Sequence, residues 1–294
     1  MLYTIKNEFL TVKIDGLGGV IRSVVNNENI EYIWQRKDDW KKSDLNLFPF
    51  VGRVNNGFYK ISNDGMKYPM EMHGFLQKIE LEVKELKEDK IVFSLKENEN
   101  TLRIYPFKFH LEIERFLVKN ELVTKYRVKN LDEKVLSFGM GGHPGFIIPN
   151  RENEEFEDCY LVFENSISPN RILLSENELG MVTRERESFT LEKSSKLSLK
   201  RDLFTNDAII LKDMGSSVTI RNKTNNDIIS LNFPDMSYLA IWQPMNSKSS
   251  LLSIEPWTSL PGEENIVTNI SEREDYIHLS SGKTYINEWN IIFH

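Results

Sequence analysis

The stretch Phe107-Lys108-Phe109-His110-Leu111-Glu112-Ile113-Glu114, continued beyond Lys119-Asn120-Glu121 by Leu122, Thr124, Tyr126 and Val128, decides the fold. Apolar side chains at 107, 109, 111 and 113 alternate with polar or charged ones at 108, 110, 112 and 114. A repeat of two puts one set on each face of an extended strand. The second segment repeats the pattern, and the polar residues between the two read as a turn. The whole is a hairpin of two half-buried strands.

Working outward, similar signatures recur at 3–13, 91–96, 196–200, 216–222, 227–233, 238–242 and 285–293. Breaks separate many of them: Asn26-Asn27-Glu28-Asn29, Asn63-Asp64-Gly65, Glu97-Asn98-Glu99-Asn100 and Asn225-Asn226-Asp227. Helical periodicity is nearly absent, with short helical turns expected only around 38–44 and 200–205. There is no long Gly/Ser/Pro linker and no low-complexity tract. The economical reading is an all-β chain, residues 1–294 forming one domain, folded as a large antiparallel β-sandwich. In such a fold a site is built by loops and strand ends on one concave face.

Composition narrows the function. With 294 residues, 40% hydrophobic and 28% charged, the chain suits a globular protein with a sizeable core. A net charge of −7 argues against nucleic acid as a partner, because binders of polyanions need a basic face. The single cysteine, Cys159, excludes an internal disulfide and any Cys-rich metal site. No apolar run reaches transmembrane length, and the opening Met-Leu-Tyr-Thr-Ile-Lys-Asn-Glu has no basic-then-apolar leader. The expectation is a cytoplasmic protein with no membrane partner.

Two short passages carry the chemistry: Gly141-Gly142-His143-Pro144-Gly145-Phe146 and Ser253-Ile254-Glu255-Pro256-Trp257. Each sets a proton-transfer side chain directly before proline, where the backbone is pushed out of the helical region. A histidine and a carboxylate aimed by a stiff backbone make an acid and a base. Among five histidines, His73 and His143 stand out because each adjoins glycine, which allows tight turns and close approach of a ligand. Either is as readily a hydrogen-bonded turn residue. His110 and His278 lie on the polar phase of strands and read as surface residues.

Glu255 closes the apolar run Leu251-Leu252-Ser253-Ile254; burial there raises a carboxyl toward the range of a working base, unless a cation pairs with it. Trp257 offers a flat apolar face suited to a sugar ring, with Trp34 and Trp242 as further candidates. Core packing is the plainer role for any one of them. Asp207, before the run Ala208-Ile209-Ile210, reads as a turn aspartate or a hydroxyl acceptor. Arg53, in Gly52-Arg53-Val54-Asn55-Asn56-Gly57, offers a fork of donors or a surface ion pair. There is no phosphate-cradling loop, dinucleotide fingerprint, nucleophile elbow or metal-ligand spacing.

In this order, Leu47-Phe48-Pro49-Phe50-Val51-Gly52-Arg53, Met72-His73-Gly74-Phe75, the Gly-Gly-His-Pro-Gly-Phe passage, Asn206-Asp207 and Ile254-Glu255-Pro256-Trp257 resemble the aldose 1-epimerase, or galactose mutarotase-like, family. The opening 14–34 is similar to that family's first hairpin. The resemblance implies a galactose mutarotase-like supersandwich that interconverts the α and β anomers of a free hexose without cofactor or metal. Glu255 would remove the anomeric hydroxyl proton and His143 would protonate the ring oxygen. His73 and Asp207 would hold hydroxyls, with Arg53 and Trp257 against the sugar. Histidine suits the acid because its ordinary pKa lies near neutrality.

The histidine motif departs from that of the main galactose mutarotases and looks like a divergent branch that includes lactose-operon-associated proteins. The arginine motif lacks the main branch's second arginine. Relatives acting on hexose 6-phosphates often carry arginine where this chain has Gln77, which tilts the reading toward unphosphorylated sugar. The alternatives are a hexose-6-phosphate mutarotase, a non-catalytic sugar-binding module, and a glycoside hydrolase using Asp207 and Glu255. The geometric expectation is that His143 and Glu255 converge on opposite sides of one pyranose-sized hollow.

Overall fold

The computed structural model describes residues 1–62, 64–149, 153–164 and 168–294. Asn63, from the Asn63-Asp64-Gly65 break, lies outside the described residues. The alternating hairpin is present as Phe109–Val118 paired with Glu121–Asn130, turning at Lys119-Asn120 with Lys119 at φ 54°. Ile113 faces Tyr126 and Leu111 faces Val128 across the pair. Shared apolar parity on neighbouring strands lets the sheet cover a core.

This hairpin sits inside a nine-stranded antiparallel sheet, ordered Lys196–Ser198, Tyr160–Phe163, Ser217–Arg221, Asp227–Asn232, Thr284–Phe293, Glu121–Asn130, Phe109–Val118, Lys90–Lys96, Glu82–Leu86. A second, eight-stranded sheet runs Val182–Ser188, Asn170–Leu174, Ile209–Lys212, Tyr238–Trp242, Leu251–Trp257, Gly141–Gly142, Asn46–Leu47, with Gly145–Ile147 also pairing onto Leu251–Trp257. One continuous core joins Leu111, Ile113, Tyr126 and Val128 of the first sheet to Ile209, Leu211, Ile241, Leu252 and Ile254 of the second. The opposite face of the second sheet carries a smaller cluster that includes Ile210, Ala240, Tyr238 and Trp257.

Three expectations change. The run 3–13 is two strands, Leu2–Lys6 and Leu10–Asp15, because the Asn7 side-chain carbonyl accepts from the amides of Phe9 and Leu10 and turns the chain. Segment 38–44 forms turns rather than a helix, whereas Arg201–Phe204 is a 3-10 turn as expected. The break at 97–100 instead starts a helix, Glu99–Ile104. The Asn98 side chain accepts from Asn100 and Thr101 while Thr101 returns a bond to the Asn98 amide. That reciprocal cap makes a helix of residues whose composition reads as a loop.

Candidate active site

Period-two geometry in Leu251–Trp257 divides its side chains between the two faces. Leu252 and Ile254 enter the main core, which leaves Ser253, Glu255 and Trp257 on the other face. Glu255 therefore lies within the strand rather than at its end. Its cross-strand neighbour is Ala240, too small to cover it. Gly141 pairs with Trp257 and Gly145 with Ser253, so His143-Pro144 bulges over the strand that carries Glu255. The His143 main chain is held on its other side by Leu45, amide to carbonyl in both directions at 2.9 and 3.2 Å.

The result is a hollow of about 380 Å³ lined by His143, Glu255, His73, Asp207, Arg53 and Trp257 together with Trp40, Lys42 and Trp242. That size is usual for a small-molecule site. His143 Nε2 stands 3.3 Å from Glu255 Oε1, so the two are neighbours side by side, not opposed across the hollow as the sequence reading had it. The His143 ring stacks on Trp40 at 4.9 Å and meets Trp242 edge-on at 5.7 Å. Its Nδ1 lies 2.9 Å from the Ser253 hydroxyl.

Electrostatics follow from burial. Glu255 is pushed well above the usual carboxylate range by loss of water, and the Asp207 charge adds to this. His143 is driven well below its ordinary value by the same burial, reinforced by His73 and Lys42. With an acid that resists ionising beside a base that resists protonation, the pair holds one proton between them and titrates as a unit.

His73 takes a positive φ of 66°, and Gly74 follows at 76°. A side chain on Gly74 would lie 2.0 Å from the Phe48 carbonyl oxygen, so only glycine lets the two segments meet. The His73 amide donates to Gly52, and the Gly52 amide donates to His73 Nδ1 at 3.2 Å. An accepting Nδ1 leaves the proton on Nε2, making His73 a fixed donor. Burial, Lys42 and Arg53 lower its pKa to about 3, so it stays neutral.

Asp207, also at positive φ, accepts from the Trp242 indole at 2.8 Å, and burial raises its carboxyl. Arg53 is exposed, and among the described residues it has no ion-pair partner. Trp257 is buried at the floor. Trp34 is absent from the lining; its indole donates to the Trp40 carbonyl at 2.8 Å and positions that ring instead.

Sequence reasoning missed Trp40, Lys42 and Ser253. A large aromatic among Lys37, Asp38, Asp39, Lys41 and Lys42 was the available signal for the first two. Ser253 shares the parity of Glu255 within its motif. Among the described residues, no group of three or more His, Cys, Asp or Glu is placed to hold a metal ion. None of their helices is long and apolar enough to cross a membrane.

A family model described as aldose 1-epimerase matches residues 1–286 of this chain. The chain belongs to the aldose 1-epimerase family. Within this epimerase family it is similar to Protein LacX, chromosomal, of Lactococcus lactis subsp. lactis, at 32% identity over 266 residues covering 88% of each. A galactose mutarotase related enzyme from Lactobacillus acidophilus superposes with a TM-score of 0.92 at 30% identity, over 100% of this chain and 97% of that one. A galactose mutarotase-like protein from Lactobacillus casei also gives 0.92, at 26% identity and full coverage of both. The galactose mutarotase-like fold expected from the motifs is thus shared along the whole chain.

Proposed function

We propose that this chain is a cofactor-independent aldose 1-epimerase, opening and reclosing the ring of a hexopyranose to exchange its anomers. The observation that carries the reading is the His143–Glu255 pair, 3.3 Å apart in one hollow. The anomeric hydroxyl oxygen and the ring oxygen are bonded to the same carbon. A base for one and an acid for the other must therefore sit side by side.

Glu255, ionised once its proton has passed to His143 Nε2, takes the anomeric hydroxyl proton. His143 gives its proton to the ring oxygen, and the bond from C1 to that oxygen breaks as the C1 carbonyl forms. Rotation about C1–C2 presents the other face. Reclosure returns one proton from Glu255 to O1 and the other from the C5 hydroxyl to His143. No proton is gained or lost over the cycle. His73, Asp207, Arg53 and Trp257 hold the sugar, by a fixed N–H donor, a carboxylate acceptor, a guanidinium and an apolar face.

Polarimetry or exchange NMR on freshly dissolved α-hexose tests this. Glu255→Gln should slow anomerisation by about 10²–10⁴-fold, the usual contribution of a positioned acid–base group. No acceleration by the wild type, or a Glu255→Gln variant equally fast, would overturn it.

One observation favours a phosphorylated substrate as a second reading. Gln77 donates from its amide to the Met72 carbonyl at 2.9 Å and turns its oxygen to the Lys42 ammonium. The position that lacks arginine thus holds a lysine at the hollow, and neither Lys42 nor Arg53 has a carboxylate partner among the described residues. Two cations at the hollow, neither held in an ion pair among the described residues, favour an anionic substituent. Rates on hexoses with and without a 6-phosphate separate the readings.

A further inference from the structure

Ser253 is fully buried, on the face of its strand that carries Glu255. Its hydroxyl oxygen lies 2.8 Å from the Pro144 carbonyl oxygen and 2.9 Å from His143 Nδ1. A carbonyl can only accept, and a serine hydroxyl has a single proton to give. That proton goes to Pro144, because the alternative sets two buried oxygens against each other at 2.8 Å with no hydrogen between them. The bond to His143 must then run the other way, from Nδ1–H to the serine oxygen.

We infer that Ser253 is a positioning residue that holds His143 with its proton on Nδ1 and its bare Nε2 turned to Glu255. The chain Nδ1–H to Ser253 to Pro144 closes on the residue next to His143, so the lock is local and stiff. The Trp40 stack fixes the plane of the same ring. Its neighbour His73, 5.3 Å away, is held in the opposite tautomer by the Gly52 amide. One histidine is thereby a permanent Nε2–H donor, and the other is the ring whose Nε2 accepts and releases protons. Without the lock, a neutral His143 is free to protonate at Nε2, leaving nothing there to receive a proton from Glu255.

The catalytic consequence rests on the epimerase reading, whereas the tautomer does not, so the two are tested apart. Long-range proton–nitrogen NMR on the full chain with labelled histidine distinguishes protonated from bare ring nitrogens. His143 Nδ1 should carry its proton from pH 5 to pH 9, with His73 Nδ1 bare as the internal contrast. A bare Nδ1 on His143 in the wild type overturns the inference, whatever the enzyme does.

Ser253→Ala should mix the His143 tautomers and lower kcat on the order of 10-fold or more. KM should stay within about two-fold and the pH profile should shift, because orientation rather than sugar contact is lost. Ser253→Thr keeps the hydroxyl and should recover most of the rate. An alanine variant with unmixed tautomers and an unmoved pH profile would also overturn it. Anomerase activity absent beside the expected tautomers would refute the epimerase reading and leave the lock standing.

Discussion

Replacing Arg115 by leucine should destabilise the protein by about 3–5 kcal/mol, the usual cost of stranding one member of a buried ion pair. Arg115 is fully buried at a core-facing position of Phe109–Val118, and its Nη2 donates to Asp44 Oδ2 at 3.1 Å and Asn46 Oδ1 at 3.0 Å. Removing it leaves the Asp44 carboxylate with the Ile21 amide at 2.8 Å and no cation. Burial already outweighs the guanidinium and raises the Asp44 pKa. The stranded group therefore escapes by protonating. From an ordinary value of about 3.9 that costs about 4 kcal/mol at pH 7, at about 1.4 kcal/mol per pH unit, which falls within that range.

For 294 residues the unfolding entropy is about 0.6 kcal/mol/K, so Tm should fall by about 5–8 °C. Calorimetry at pH 7 and pH 4 is the assay. The deficit should shrink at the lower pH, where protonation is nearly free. Adding Asp44→Asn should restore at least half of the loss, a coupling expected only of direct partners. Asp44 and Asn46 flank Leu45, which holds the His143 backbone, so activity of the folded variant should fall as well. A loss under 1 kcal/mol, a deficit independent of pH, or strictly additive effects would refute the reasoning.

Gly142→Ala would set a methyl carbon 2.5 Å from the Trp289 ring, so overpacking should cost about 1–3 kcal/mol and displace His143, read by denaturant unfolding and anomerisation rate. His73 and His143 resist protonation in the folded chain. Below the unfolded value near 6.5 the unfolded chain binds protons that the folded one refuses. The contribution of each is complete above pH 6.5 and is lost as pH falls, for His73 toward about 3, at up to about 1.4 kcal/mol per pH unit for that ring. Glu255, raised above 4.5, acts oppositely: its contribution is lost as pH rises through its folded pKa. His73→Gln should flatten the acid-side slope in urea titrations, and an unchanged slope would count against the neutral ring. Lys42→Met should raise KM for a hexose 6-phosphate about 10-fold and leave that for the plain hexose unchanged; equal effects would remove Lys42 from any anion site.

Strands were legible because the period of two is a local property, written wherever one face is wet and the other dry. Residues 107–114 and 122–128 show it without help from the rest of the chain. Helix Glu99–Ile104 was not legible because its reason for existing is a cap, Asn98 with Thr101, and asparagine serves loops equally well. Segment 38–44 misled in the other direction. Its turns are shaped by contacts of Trp40 with His143 and Trp242, residues remote in sequence.

The sequence by itself determined which side chains share a face: Ser253, Glu255 and Trp257 follow from parity alone, and proline after His143 and Glu255 restricts both backbones. Only the tertiary structure decided that the two groups touch, that Trp40 rather than Trp34 walls the hollow, that Arg115 meets Asp44, and which hydrogen-bond partners face the ring nitrogens of His73 and His143. Those outcomes depend on strands paired across more than a hundred residues and on single hydrogen-bond partners. No local preference records them, because a strand's own alternation is indifferent to which neighbour completes it.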